Sequence, residues 1–437
     1  MKKARIVIGA NFGDEGKGLV TDYLSHQTGP ETLVVRFNGG AQAGHTVITP
    51  DSRRHVFGHI GSGAFNGCAT LLSRFFICNP LVFLKESATL RRLGIDPTVY
   101  IDEASPVTTP FDMIVNQCVE EARGVNRHGS CGLGIGETIE RHLRPAYALT
   151  YGELADIDLL RDRLIATRDE WLPQRLTALG VTRVTQHWQR IIDATHLCDA
   201  FIADIARFRA LTQPATADLI QRAAHLIFEG AQGLLLDQDY GWFPHVTRSN
   251  TGMKNVAELA RENGLTDLDV FYLTRSYLTR HGAGPMPGER FAPIYSKIHD
   301  PTNIPNPHQG TLRFGLLDID LLAKSVFHDL RHVPSSIRCA HHLSVSCMDQ
   351  IDDDQALCLS GAQTLRLSPN GFLALLQERT GAASILTSHG PTHRDVGPWS
   401  RRPSQPPAAK PAAYKAASPG CFRTASRESL HGFLHTA

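Results

Sequence analysis

Residues Ile6-Val7-Ile8-Gly9-Ala10-Asn11-Phe12-Gly13-Asp14-Glu15-Gly16-Lys17-Gly18 decide how this chain is built. A short apolar run breaks into a glycine-rich turn, and the turn opens an amphipathic segment, Leu19 to His26. That is a strand, a phosphate-sized loop and a helix N-terminus. Glycines let backbone N–H groups approach an anion, the helix dipole favours negative charge, and Lys17 adds a full positive one. A nucleotide phosphate is the natural guest. The loop is not a standard P-loop, which would need Gly at Asn11 and Ser or Thr at Gly18. The hydroxyl that usually holds magnesium is missing, and Asp14 is the obvious replacement.

Outward from this loop, strands and helices alternate. An apolar strand, Thr32 to Phe37, runs into Gly39-Gly40-Ala41-Gln42-Ala43-Gly44-His45-Thr46, and Leu226-Ile227-Phe228 runs into Glu229-Gly230-Ala231-Gln232-Gly233. Leu81 to Leu93, Phe111 to Arg123 and Leu316 to Leu330 have helical spacing, whereas Thr98 to Ile101 and Val270 to Leu273 read as strands. The pattern predicts an α/β fold with a mostly parallel central sheet and a P-loop-like nucleotide-binding loop. Ligands of such sheets sit beyond the carboxyl ends of the strands, where all three glycine-rich loops fall. Within a domain spanning 1–397, residues 153–224 carry apolar positions at three- and four-residue spacing, as in Leu154, Ile157, Leu160 and Leu164, and predict a helical side subdomain. Residues 398–437, rich in Pro and Ala, read as a disordered tail.

With 437 residues, 42% hydrophobic and 20% charged, the chain is long enough and apolar enough for a large soluble core. A formal net charge of +1 gives no electrostatic reason to expect nucleic acid or an anionic membrane as partner. Nine scattered cysteines, without a Cys-x-x-Cys pair, favour free thiols in a cytoplasmic compartment. The lysines at Met1-Lys2-Lys3 are followed at once by the nucleotide loop, so a signal-peptide core is not expected, nor is a membrane span. His341-His342 reads as a packing or surface pair rather than a metal site.

Together with Pro244-His245-Val246-Thr247, Thr279-Arg280-His281-Gly282-Ala283-Gly284-Pro285 and Ser388-His389-Gly390-Pro391, the three glycine-rich blocks resemble, in order, those of the adenylosuccinate synthetase family. The resemblance covers about residues 4 to 395. It implies a homodimeric, Mg²⁺-dependent ligase that joins L-aspartate to C6 of an IMP-like 6-oxopurine nucleotide. A nucleoside triphosphate, GTP or ATP, phosphorylates the 6-oxygen first. Carried over residue by residue, Asp14 is the base for purine N1 and, with the Gly44 carbonyl, a ligand of Mg²⁺. His45 donates to the phosphoryl group, and Lys17 neutralises charge there. Gly13, Glu15, Gly16 and Gly18 frame the nucleotide loop; Gln42 faces the phosphates or base, and Gln232 and Thr247 contact the nucleotide. Ser130 and Cys131 fall on the monophosphate loop, Thr311 and Arg313 on the loop that grips aspartate. Asp349 reads the donor base, and Ser388, Gly390 and Pro391 contact the donor purine.

Several positions depart from the family pattern. Cys131 replaces a threonine and Leu133 an arginine, and Arg248 follows Thr247 where a small residue is usual. Gly310-Thr311-Leu312-Arg313 keeps one arginine of an arginine-rich loop, and Cys347 stands where a lysine covers guanine. Arg141 or Arg144 takes the place of an arginine that reaches into a neighbouring subunit. Two further readings therefore stay open: a phage-type enzyme acting on dGMP with ATP, and a nucleotide-binding homologue without catalysis. The carboxylate at Asp14 favours IMP over dGMP, and retention of Asp14, Lys17 and His45 favours catalysis.

Overall fold

The computed structural model describes residues 3–124, 130–300 and 311–400. Along β1 (Lys3–Gly9) side chains alternate between two layers, as the two-residue period of a strand requires. Ala4, Ile6 and Ile8 enter one apolar core with Leu226, Phe228, Leu268, Val270 and Tyr272 from the strands on either side. Val7, Ile227, Phe271 and Leu273 point the other way, onto Leu19, Val20 and Leu24 of α1 (Lys17–Thr28). Both faces are covered, which is why these strands read as nearly continuous apolar runs.

The sheet has ten strands. In spatial order they are Val396–Trp399, Ile385–Ser388, Arg338–Ser346, Asp267–Arg275, β1, His225–Gly233, β2 (Thr32–Arg36), Ala69–Leu72, Val99–Ile101 and Gln213–Pro214. Neighbours run parallel except at the first edge, where Ile385–Ser388 and Val396–Trp399 are antiparallel. Helices Met253–Glu262, Ile319–Leu330 and Pro369–Thr380 cover the β1-even face. The expected side subdomain is helical through Ile157–Ala166, Leu172–Ala178, Gln186–Ile192 and His196–Ala210. Its apolar stripes share a second core with α2 (Pro80–Arg92) and α3 (Pro110–Arg123) around Phe83, Phe111, Leu160, Phe201 and Phe208. Both of the latter helices start at a capping side chain followed by proline, Asn79-Pro80 and Thr109-Pro110.

Two expectations need correction. The segment after the first loop, expected to be amphipathic from Leu19 to His26, is buried on nearly every side: Leu19, Val20, Thr21, Asp22, Leu24 and Ser25 are all buried. α1 is covered on its outer side by the hairpin of His45–Ile48 and Arg54–Phe57, and by His393, whose Nδ1 pairs with Asp22 at 2.8 Å. The boundary drawn at 397/398 falls inside the edge strand Val396–Trp399, whose Trp399 Nε1 donates to Asn370 Oδ1 at 3.1 Å. Residues 401–437, and with them most of the tail reading, lie outside the described residues.

The eight cysteines among the described residues are free thiols. His341 and His342 sit in the strand Arg338–Ser346 and bond Thr380 O and Ser384 Oγ, in keeping with a packing role. Among the described residues no helix is long and apolar enough to cross a membrane.

Candidate active site

The first loop is tied to both neighbouring strands. Ala10 N donates to Leu273 O (2.8 Å), Asn11 Nδ2 to Thr274 Oγ1 (3.0 Å), and Leu235 N to Asn11 O (2.9 Å). Gly13 and Gly16 have φ of 94° and 90°, a conformation that glycine adopts without strain. Asp14 adopts φ 60° with a side chain, and so do Gln232 at 62° and Cys347 at 60°. These are three of the six non-glycine residues in the left-handed region among the described residues, a conformation that costs a side chain strain, and all three fall at the carboxyl-end side of the sheet. Arg275 holds Asp14 by donating from Nε to its carbonyl, and His281 Nε2 lies 3.3 Å from Asp14 Oδ2.

Glu15 and Lys17 turn inward rather than toward solvent. Glu15 Oε1 accepts from Asn11 N at 2.6 Å, and a β-carbon on Gly9 would sit 2.2 Å from Glu15 Oε2 and 3.2 Å from Lys17 Nζ. Burial pushes the Glu15 carboxyl up to about 8, against the pull of Lys17, and draws the Lys17 ammonium down. Glu15 therefore braces the loop with its side chain, and its backbone carbonyl accepts from Ser346 Oγ at 3.2 Å. Gly18 explains the missing P-loop hydroxyl: a β-carbon there would lie 2.8 Å from Thr46 O, so α1 can approach the His45 strand only through glycine.

His45 is buried, with Nδ1 2.7 Å from Glu229 Oε1. Glu229 also accepts from Ser62 N at 3.0 Å and lies 4.0 Å from Arg36 Nε. Burial alone would raise the Glu229 carboxyl, but His45 and Arg36 outweigh it and hold it at about 2. Burial lowers the His45 ring to about 4, so the resting ring is neutral with its proton on Nδ1. Nε2 then presents a lone pair, and it is buried without a partner among the described residues. The expected donation to a phosphoryl oxygen thus needs a second proton, which the Glu229 carboxylate stabilises. Glu229 lies within a quoted motif, yet its part in the site was not legible from it.

Gln42 and Gln232 meet over Gly39, whose β-carbon would be 3.5 Å from Gln42 Nε2 and 4.0 Å from Gln232 Oε1. Both Gln42 amide atoms and Gln232 Oε1 are buried without partners among the described residues. Buried polar atoms are ordinarily satisfied, so this group waits for a polar ligand. Gly44 is exposed. Ile135 Cδ1 packs at Gly40 and brings in the segment Ser130–Gly134 at the start of α4 (Ile135–His142). Ser130 Oγ exchanges hydrogen bonds with the Asn116 amide (2.9 and 3.1 Å), and Cys131 is half-buried. Residues 125–129 of that loop lie outside the described residues. Thr247 is half-buried, its N–H bonded to Leu236 O, and Arg248 beside it pairs with Glu140 of α4.

Arg141 cannot reach a neighbouring subunit. It is fully buried, bidentate on Asp112 at 2.8 and 2.9 Å, and donates to Tyr147 O and Val107 O. Arg144 is exposed.

On the far side, Ser276 Oγ donates to Cys347 O (3.0 Å), Tyr277 OH to Gln350 Oε1 (2.6 Å), and Asp349 is exposed. Arg275 stands here as well, its guanidinium 5.7 Å from the Tyr277 ring, a cation beside Cys347 that motif reading missed. Ser388 is buried at its strand end, Gly390 packs on Asp395, and Pro391 is exposed. Thr311 is exposed and Gly310 lies outside the described residues. Arg313, expected on the loop that grips aspartate, forks onto Glu289 through Nε and Nη2, both at 2.6 Å.

Fold and site together define an α/β protein with a mostly parallel sheet, whose glycine-rich loop between first strand and first helix carries a carboxylate where a P-loop would carry a hydroxyl. The chain belongs to the adenylosuccinate synthetase family, whose model matches residues 6–331. It is 32% identical over 296 residues to the adenylosuccinate synthetase of Nostoc punctiforme, covering 65% of this chain and 62% of that one. To the Thermoplasma acidophilum adenylosuccinate synthetase it is 28% identical over 330 residues, covering 74% and 72%. The matched part thus spans less than two thirds of the Nostoc protein, and Cys347, Asp349 and Ser388–Pro391 lie beyond residue 331. In fold the chain is similar to fully ligated Plasmodium falciparum adenylosuccinate synthetase, with a TM-score of 0.69, 17% identity and coverage of 90% and 99%. It is also similar to cyanophage S-2L succinoaminodeoxyadenylate synthetase bound to dGMP and dATP as an energy donor, with a TM-score of 0.60, 16% identity and coverage of 91% and 95%.

Proposed function

We propose that the chain is a C–N ligase that joins L-aspartate to C6 of an IMP-like 6-oxopurine nucleotide at the expense of a nucleoside triphosphate. The observation that carries the reading is the set of polar atoms on Gln42, Gln232 and His45 that are buried without partners among the described residues, beside an accessible carboxylate, Asp14, at the carboxyl end of the sheet. A 6-oxo group is amide-like and leaves poorly, so it must first become a phosphate ester. Asp14 takes the N1 proton, which drives electron density onto the 6-oxygen as it attacks the γ-phosphoryl group, and the bond to the β-phosphate breaks to release the nucleoside diphosphate. His45 and Lys17 stabilise the charge on that group, and the aspartate amine then displaces phosphate at C6.

Mg²⁺ fits this site. The Asp14 side chain is 28% exposed and the Gly44 backbone is exposed, offering two oxygen donors of the kind this ion takes in company with substrate phosphates. Bound there it would neutralise charge on the phosphates. A homodimer belongs to the same reading, with Arg144 rather than Arg141 available to a partner's site. The free thiols fit a cytoplasmic setting.

Cys347 supports a second reading, in which ATP is the donor and dGMP the acceptor; the phage neighbour is bound to dGMP and to an adenine nucleotide, dATP, as energy donor. Chromatographic assay of IMP, GMP and dGMP, each with L-aspartate, Mg²⁺ and either GTP or ATP, separates the two. Aspartate-dependent conversion of IMP is expected; conversion of dGMP alone would favour the second reading, and no conversion of any acceptor would leave a nucleotide-binding homologue.

A further inference from the structure

Arg313 has five N–H donors, and the structure accounts for four of them. Nε and one Nη2 hydrogen form a fork on the two Glu289 oxygens, both at 2.6 Å. Nη1 donates to Gly282 O at 3.0 Å and Gly284 O at 2.9 Å. Those carbonyls belong to the loop whose His281 lies 3.3 Å from Asp14 Oδ2, so the guanidinium is attached to a loop that reaches Asp14. Arg280, opposite Arg313 in antiparallel register, is no substitute: it is buried and donates to Pro285 O and His245 O. A carboxylate fork on arginine is the geometry by which a substrate carboxylate would be held.

We propose that Glu289 is a resident carboxylate of the amine-donor subsite, occupying on Arg313 the fork that a substrate carboxylate would otherwise enter. This rests on the ligase reading, which places the amine donor beside Arg313. The donor must displace Glu289 or make do with the remaining Nη2 hydrogen, and while Glu289 stays it also repels a second negative charge. Side-chain exposures of 25% for Arg313 and 42% for Glu289 put the pair within reach of such an exchange. Glu289 therefore sets how strongly a dicarboxylic donor binds, with little effect on the nucleotides.

The test is calorimetric titration of L-aspartate into the full-length protein and into Glu289→Gln, alongside steady-state kinetics. Glu289→Gln should bind L-aspartate about fivefold more tightly, the scale of an exposed ion pair. Its KM for aspartate should fall in parallel, while KM for both nucleotides stays within about twofold. Glu289→Asp, which keeps the charge, should stay near the parent, and Glu289→Gln/Arg313→Gln should lose the gain. Unchanged or weaker aspartate binding in Glu289→Gln, with an unchanged melting temperature, overturns the proposal. The titration decides this even if no acceptor is converted, so failure of the ligase reading remains distinguishable.

Discussion

Asp14 is aimed before any substrate arrives, because its left-handed backbone is clamped by Arg275 on the carbonyl and its carboxylate is flanked by His281. Such a group acts through position as much as through basicity, so Asp14→Asn should lower kcat roughly 10²-fold or more, with nucleotide KM little changed. His45→Ala should do the same. Glu229→Gln keeps a hydrogen-bond acceptor for His45 but removes the negative charge, and should therefore also lower kcat without raising KM. Steady-state kinetics at saturating substrate checks all three; near-normal kcat in any of them would remove that residue from the assigned machinery. Asp14, Lys17 and His45 were legible because each lies in a short glycine-rich motif after a strand. The contacts of Glu229 and Glu289 were not, since their partners are 184 and 24 residues away and only the fold brings them together.

Among the elements, the strands were easiest to read. Burial on both faces leaves runs such as Leu226-Ile227-Phe228 almost without polar residues, and the structure places them at the middle of the sheet. α1 misled because its polar residues, Thr21, Asp22 and Ser25, are buried against neighbouring elements rather than solvated. Helix α4 and the turn just after it hold two arginines, Arg141 and Arg144, that spacing could not tell apart. Arg141→Ala leaves Asp112 buried without its charge partner and should cost about 3–5 kcal/mol of stability. Arg144→Ala should shift stability by no more than about 0.5 kcal/mol. If a dimer completes the site, it should raise KM for the acceptor nucleotide instead. Denaturant melts and kinetics of the two variants check this; equal loss of stability would refute the distinction. At the donor site Cys347 offers no cation to cover a base, although Arg275 stands nearby. GTP and ATP should therefore differ by no more than about two decades in kcat/KM. Cys347→Lys should shift preference toward GTP. Competition assays decide it, and strict GTP dependence in the parent protein would show that Arg275 or another residue already does the lysine's part.

For the whole molecule, the central sheet and its helices are joined through a buried acid, Asp329, at the end of the helix Ile319–Leu330. Asp329 Oδ1 accepts from Met253 N at 2.8 Å and Oδ2 from Tyr272 OH at 2.7 Å, so one carboxyl links two helices to a core strand. Burial pushes it up to about 7 from an ordinary 3.8, against those two hydrogen bonds. Between these values the folded protein keeps a proton that the unfolded chain has released. Stability from this group is therefore full below pH 3.8, falls as pH rises toward 7, and is constant above it. Glu15, raised to about 8, acts with the same sign, whereas His45, lowered to about 4, acts with the opposite sign below pH 6.5. The parent's own pH profile mixes these with other shifted groups, among them Glu86 and Glu229, both lowered to about 2, and the difference between parent and Asp329→Asn isolates one. Asparagine keeps the shape and can hold both partners without ionising. Relative to the parent, Asp329→Asn should thus gain stability steadily from pH 4 to 7, by a few kcal/mol in all. Melting temperatures of the two proteins across pH 4–8 measure it, and a constant offset between the curves would mean that Asp329 stays ionised in the folded core.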